Sequence, residues 1–190
     1  MTEQLTLFDT PAPRHDPGGK ARSRLPADVR GDALFSPCER YRHLLRRWRG
    51  DTFPERYVLW IGMNPSTADA SANDPTVARE WHFTVREGFS AMAKVNIGDY
   101  RATEPKMLLA EGVVAVSPEN LPTIREQAAG AALVIVCHGR LNRALRDAGA
   151  ATLAALRQDG VRMRCFGVNA DGSTKHPLYL PNDQPLLLLD

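Results

Sequence analysis

Short apolar runs, closed by glycine, asparagine or histidine, alternate along this chain with longer stretches of helical composition. Tyr57-Val58-Leu59-Trp60-Ile61 stops at Gly62 and predicts a strand buried on both faces. Ala91 to Ile97 predicts a second strand, Leu133 to Cys137 a third with His138 and Gly139 at its end, and Arg162 to Val168 a fourth. Residues 76–87, 118–129 and 141–158 read as helices. Strands that alternate with helices imply βαβ units with right-handed crossovers. The expected fold is therefore α/β, a three-layer α/β/α sandwich around a central, mainly parallel sheet of four or five strands.

The amino-terminal third is less regular. Residues 9 to about 33 hold Pro11, Pro13, Pro17, Gly18, Gly19 and Pro26 among scattered charges and read as a flexible linker. This predicts a tail over residues 1–33 and a domain over 34–190. Two patterns compete over residues 37–49. Ser36, Pro37 and Glu39 suit a helix start, with Tyr41, Leu44, Leu45 and Trp48 on one helical face. A strand that leads through a Gly50-Asp51 turn towards Tyr57 fits as well.

Composition narrows the function classes. With 43% hydrophobic and 24% charged residues, the 190-residue chain is about one globular domain. A formal net charge of +2 creates no general field for nucleic acid, so any such contact must be local. Cys38, Cys137 and Cys165 are widely spaced and form no Cys-x-x-Cys pair, which fits a reducing compartment and argues against a disulfide framework or an iron-sulfur cluster. No apolar run approaches 20 residues and no signal peptide is visible, so the expected location is cytoplasmic, at the nucleoid, without membrane contact. Walker, dinucleotide-binding and zinc spacings are missing from the sequence, and no metal or organic cofactor is expected.

In parallel sheets, ligand groups collect where strands end. Asn64, Asn96, His138 and Asn169 all lie at or just past predicted strand ends. Gly62-Met63-Asn64-Pro65-Ser66 lets the backbone leave its strand sharply and presents the Asn64 amide, which can hold a nucleophilic water or merely cap a turn. Asp69 and Asp74 follow, as a candidate base or sugar-cation stabiliser, or as a loop acid and a helix cap. Asn96 interrupts an apolar strand, where its donor and acceptor could read a base edge or tie two loops. Arg101 is a candidate phosphate contact. Ser173, Thr174 and Lys175 make a polar loop suited to a phosphate or sugar. His176, before Pro177, could share the charge of a departing base. Arg40, Arg42, Arg46, Arg47 and Arg49 could follow a phosphate backbone or form a solvated face.

The segments Gly62-Met63-Asn64-Pro65 and His176-Pro177 resemble the two active-site motifs of the uracil-DNA glycosylase superfamily, in its mismatch-specific and single-strand-selective branches. More closely, residues from Tyr41 to about Tyr179 look like the DUF1643 family, through Asn64 to Ala70, Asp74-Pro75-Thr76, Asn96, Arg101-Ala102-Thr103 and His176 to Tyr179. Ser66 stands where the glycosylase motif usually has Gly, and Leu178-Tyr179 replaces its Ser-containing continuation, which normally grips backbone phosphate. Gln4-Leu5-Thr6-Leu7-Phe8 resembles the bacterial peptide that docks on the replicative sliding clamp, with Gln4, Leu5, Leu7 and Phe8 as its contacts.

These resemblances imply a glycosylase-like sandwich and hydrolysis of the N-glycosidic bond of a damaged or modified base in DNA. Asn64 would place the water, Asn96 would read the base and His176 would stabilise the leaving base, with Asp69 or Asp74 assisting. Gly62, Met63, Pro65 and Ser66 would shape the base site. The expected partners are DNA and the sliding clamp. Two rivals stand beside this reading: a hydrolase for free nucleosides or nucleotides, and a non-catalytic clamp-associated module that binds modified DNA.

Overall fold

The computed structural model describes residues 22–189, so the Gln4 to Phe8 segment lies outside the described residues. Among them the chain runs through β1 (Ser23–Arg24), β2 (Arg30–Phe35), β3 (Arg42–Trp48), β4 (Val58–Gly62), β5 (Ala72–Asn73), α1 (Pro75–Arg86), β6 (Ala91–Asn96), α2 (Asn120–Gly130), β7 (Leu133–Val136), α3 (Arg146–Gln158), β8 (Met163–Cys165) and β9 (Leu187–Leu188). Short 3-10 turns occupy Pro105–Leu109 and Pro177–Tyr179.

Seven strands form one sheet in the order β2-β3-β6-β4-β7-β8-β9, and β1 pairs separately with β5. Strand β4 is parallel to β6 and β7, and β7 is parallel to β8. The pairs β2/β3, β3/β6 and β8/β9 are antiparallel. The sheet is thus mixed, and the expected mainly parallel sheet of four or five strands describes only its centre. Its flanks were hidden for physical reasons. The start of β2, Arg30-Gly31-Asp32, carries no apolar signal, and β9 is only two residues long. Because β1 and β2 pair from Ser23 and Arg30 onward, ordered structure begins ahead of the boundary expected near Leu34.

The apolar run of β4 lacks alternation because both of its faces are covered. Val58 and Trp60 pack with Val77 and Phe83 of α1, whereas Leu59 and Ile61 pack with Ile124 of α2 and Leu156 of α3. Helices therefore lie on both faces of the sheet. Trp60, fully buried beside Phe83 and Phe166, also donates its indole N–H to Thr84 Oγ1 at 2.9 Å, which satisfies the one polar atom it brings into the core. Helix α1 opens with Asp74, whose Oδ1 accepts from the Val77 N–H at 2.9 Å, and with Pro75 in its first turn. It ends at Glu87 before Gly88, whose φ of 78° suits glycine.

Residues 42–48 form a strand, which settles the two patterns over 37–49 in favour of the strand. Glu39 takes a φ of 55° in the preceding turn, so the helix start at Ser36 does not form. Between Leu34↔Leu44 and Phe35↔Arg42, two residues of β3 span one step of β2. This bulge changes the phase of the strand and returns Arg42 to the face of Leu45 and Arg47. Both guanidinium groups then reach the same loop. Arg42 donates to the Ala68 carbonyl at 2.8 Å, and Arg47 donates to Asn73 Oδ1 and to the carbonyls of Asp69 and Ala72.

Candidate functional site

A cavity of about 270 Å³ opens where β4 and β6 end on the α1 side of the sheet. Gly62 pairs with Asn96, and a Cβ on Gly62 would lie 2.8 Å from Asn96 Oδ1 and 2.9 Å from Lys94 Nζ. The missing side chain leaves space for the ends of both neighbours. Asn64 lies on the wall, with Met63 and Ser66. The first turn of α1 contributes Asp74 and Thr76, and His176, Leu178 and Tyr179 close the opposite side. Tyr179 stands at the lip with 85% of its surface exposed.

The Asn64 amide has one possible orientation. Its NH2 donates to the Pro65 carbonyl at 2.9 Å and to the Ala102 carbonyl at 2.7 Å, and both partners are pure acceptors. The side-chain oxygen is thereby presented as an acceptor. Asp74 spends Oδ1 on the Val77 N–H, and Oδ2 has no hydrogen-bond partner among the described residues. His176 Nδ1 accepts from the Leu178 N–H at 3.3 Å, so in the neutral ring the proton sits on Nε2, which is a donor.

Asn96 is the unusual member. It is 1% exposed, and neither its Nδ2 nor its Oδ1 has a hydrogen-bond partner. An unmade hydrogen bond on a buried polar atom costs about 1–3 kcal/mol, so two of them on one side chain that lines a cavity are a cost a bound ligand would relieve. The amide lies on the cavity wall, where a ligand with one donor and one acceptor side by side would pair with both.

Beneath Asn96, on the same face of β6, the Lys94 ammonium is paired with the Glu80 carboxylate of α1, and both are almost fully buried. Burial pushes the Glu80 carboxyl above its ordinary value against the attraction of Lys94. Cys137 Sγ also lies 3.7 Å from Glu80 Oε1, and burial holds this thiol well above its usual range, so it is protonated and can donate. Lys94 is the cation on the cavity floor. Sequence reasoning gave neither Lys94 nor Glu80 a role. The available signal was a lysine inside an otherwise apolar strand.

Other expected site residues lie elsewhere. Asp69 turns away from the cavity into a tight turn. Partial burial would raise its carboxyl, but the Ser71 N–H and hydroxyl and the Arg22 guanidinium outweigh this and hold it below its ordinary value. Arg101 is nine-tenths buried, donates to the Glu39 carbonyl and stacks on Phe35, so it braces the β2–β3 turn instead of lining the cavity. Pro65 is buried behind the wall, its carbonyl accepting from Asn64 and from the Ala102 N–H. Ser173 and Thr174 line a separate, larger cavity together with His138, and the Lys175 stem packs near Gly167. Asn169 sits in a surface turn and donates to Ser173 Oγ. Of the four strand-end residues expected to converge, only Asn64 and Asn96 do so.

Four of the five clustered arginines are buried or paired with carboxylates, and Arg40 is exposed. Arg42 and Arg47 are buried in the sheet, where burial pulls each guanidinium down to about 10. Arg46 and Arg49 are paired with Asp32 and Asp28. Among the described residues no group of three or more His, Cys, Asp or Glu side chains is arranged to hold a metal ion, and no helix is long and apolar enough to cross a membrane.

The family model described as "Protein of unknown function (DUF1643)" matches residues 40–178. The chain belongs to the DUF1643 family. That match spans β3, whose arginines hold the loop after Asn64, and runs to Leu178 on the far wall of the cavity. No curated protein and no solved structure matches the chain.

Proposed function

We propose that this DUF1643 protein hydrolyses the N-glycosidic bond of a damaged or modified base in DNA, within the cavity between Asn64, Asn96 and His176. One observation carries the reading: a buried amide with both polar atoms unpartnered, on the wall of a base-sized cavity, beside an oriented acceptor and an oriented donor. At about 270 Å³ the cavity is close to the lower limit of about 300 Å³ for small-molecule pockets, which suits one heterocycle better than a large ligand.

In this mechanism Asn96 pairs with the edge of the base, taking one N–H on Oδ1 and offering Nδ2 to a ring or carbonyl acceptor. The bond from the sugar carbon to the base nitrogen breaks with its electron pair on the base. His176 Nε2–H donates to the oxygen on which that charge collects, which lowers the barrier because the donor is already oriented. Water held by Asn64 Oδ1 adds to the sugar cation and gives its proton to Asp74 Oδ2. Fixing the amide through two carbonyl acceptors is the source of its value: the acceptor needs no reorientation when the water arrives. Docking on the sliding clamp through Gln4 to Phe8 completes this reading as a tether that raises the local concentration at DNA.

The test is base release from single- and double-stranded oligonucleotides carrying uracil, hypoxanthine, xanthine or bulky modified pyrimidines. Release by the wild-type protein, with loss of about 100-fold or more in Asn64→Ala and in His176→Ala, is the expected result. Release of base from nucleosides alone would assign the chemistry to small substrates. Folded protein that releases nothing from either overturns the enzymatic reading.

A further inference from the structure

We infer that Lys94 is a further catalytic residue of the Asn96 cavity, whose ammonium shares with His176 the negative charge of the departing base. The inference rests on the glycosidic reading above. Lys94 precedes Asn96 by two residues in β6, so both side chains stand on one face of the sheet. A Cβ on Gly62 would lie 2.8 Å from Asn96 Oδ1 and 2.9 Å from Lys94 Nζ, so the amide and the ammonium flank a single spot. A base edge paired with Asn96 is therefore within reach of Lys94. Among the described residues that line the cavity, Lys94 is the one lysine or arginine.

The charges around the cavity floor match the course of the reaction. Glu80 pairs with Lys94 but is fully buried and does not line the cavity, so the ligand meets the ammonium and not its partner. The carboxylate is also shared: Arg42 of β3 attracts both Glu80 and Asp74, and Glu80 Oε2 has no hydrogen-bond partner. Arg47, farther along β3, is engaged by Asn73 Oδ1 and the loop carbonyls. Lys94 and Arg42 thus face Glu80 and Asp74, two cations against two carboxylates, before the bond breaks. When Asp74 takes the proton of the attacking water, one carboxylate is neutralised and one positive charge is left over. The base leaves with the electron pair of the glycosidic bond and brings the negative charge that restores the balance. Charge-assisted hydrogen bonds are roughly twice as strong as neutral ones, and donors already in place need no reorganisation.

Binding of free bases tests Lys94 without requiring turnover. Isothermal titration calorimetry of the full-length protein, at a single mildly alkaline pH, compares uracil with 6-azauracil and hypoxanthine with xanthine. Within each pair the bases are similar in size and the second is the stronger acid. Wild type should bind the more acidic member of the pair it accepts about tenfold tighter, the gain from a hydrogen bond to a charged partner. The double variant Lys94→Met, Glu80→Gln removes both charges of the ion pair together, and there the preference should vanish, with urea denaturation showing that the protein is folded. Base release supplies a second readout. The double variant should lose about 100-fold, the usual cost of one donor to developing charge, and the loss should be largest for the least acidic leaving base, a trend that a packing defect does not produce. Wild-type protein that shows no preference within either pair, or binds none of the four bases, overturns the inference, and so does an undiminished preference in the folded variant. The two readings fail separately. Release that the variant leaves unchanged removes Lys94 and keeps the hydrolysis; a preference that depends on Lys94, without release from any oligonucleotide, refutes the hydrolysis and leaves Lys94 as the group that binds anionic bases.

Discussion

Gly62 and Asn96 face each other across β4 and β6, and the absent side chain of one makes room for the amide of the other: a Cβ at Gly62 would sit 2.8 Å from Asn96 Oδ1. It would also lie 2.9 Å from Lys94 Nζ. The Gly62→Ala protein must therefore displace the amide or the ammonium. Because a misplacement of about 1 Å can cost about 100-fold in rate, base release should fall by at least that factor. Single-turnover kinetics, run beside thermal melting to show that the variant is folded, measure it.

Asn96 should trade stability for binding. Asn96→Leu keeps the side-chain volume and removes both unpartnered polar atoms, so the ligand-free protein should become more stable by about 1 kcal/mol or more. Base binding and release should be lost. Urea denaturation of the two proteins checks the first half, and a fall in stability would mean that the amide is a structural tie.

The Lys94–Glu80 pair should behave as a unit. Lys94→Met leaves a buried carboxylate alone and should cost about 3–5 kcal/mol, whereas adding Glu80→Gln to it should recover most of the loss. In the single variant Glu80 is held by burial above the usual value of about 4.3 in the unfolded chain. Its folded form binds the proton more tightly, so stability is greatest below that value and falls as pH rises. Denaturation at several pH values distinguishes this slope from a simple packing defect.

His138 gives a slope of opposite sign. Burial holds its imidazole below the ordinary value of 6.5 despite the hydrogen bond to the Gly139 carbonyl. The unfolded chain therefore takes up the proton first. Stability is complete above about pH 6.5 and is lost as pH falls through the depressed folded value, by at most about 1.4 kcal/mol per pH unit. His138→Gln should flatten the difference between wild-type stability at pH 7 and at pH 5.

The centre of the fold was legible because burial on both faces writes continuous apolar runs: β6, β7 and β8 fall within their expected segments, and β4 runs one residue past its own, through Gly62. Asp74 and Pro75 likewise marked the start of α1. The flanks were not legible. Strand β3 carries three arginines, which reads as surface, yet two of them are buried because their long side chains find backbone carbonyls in a distant loop. Nothing local in the sequence records such partners. For the cavity, Asn64 and Asn96 were visible as polar residues at the ends of apolar runs, a signal tied to strand ends, and His176 only as a histidine before Pro177 after a polar loop. Asp69, Arg101 and the 173–175 loop carried similar polarity but turn elsewhere, and polarity alone does not say which way a side chain points.

The loop from Asn64 to Asn73 contains no long element of its own, so its shape is imposed from outside by Arg42 and Arg47. A fragment that began at Tyr57 would keep every residue of the cavity and still lose the arrangement, since the two guanidinium groups that fasten the loop would be gone. Grafting the cavity onto another scaffold, or exchanging it between relatives, would require the amino-terminal hairpin to travel with it.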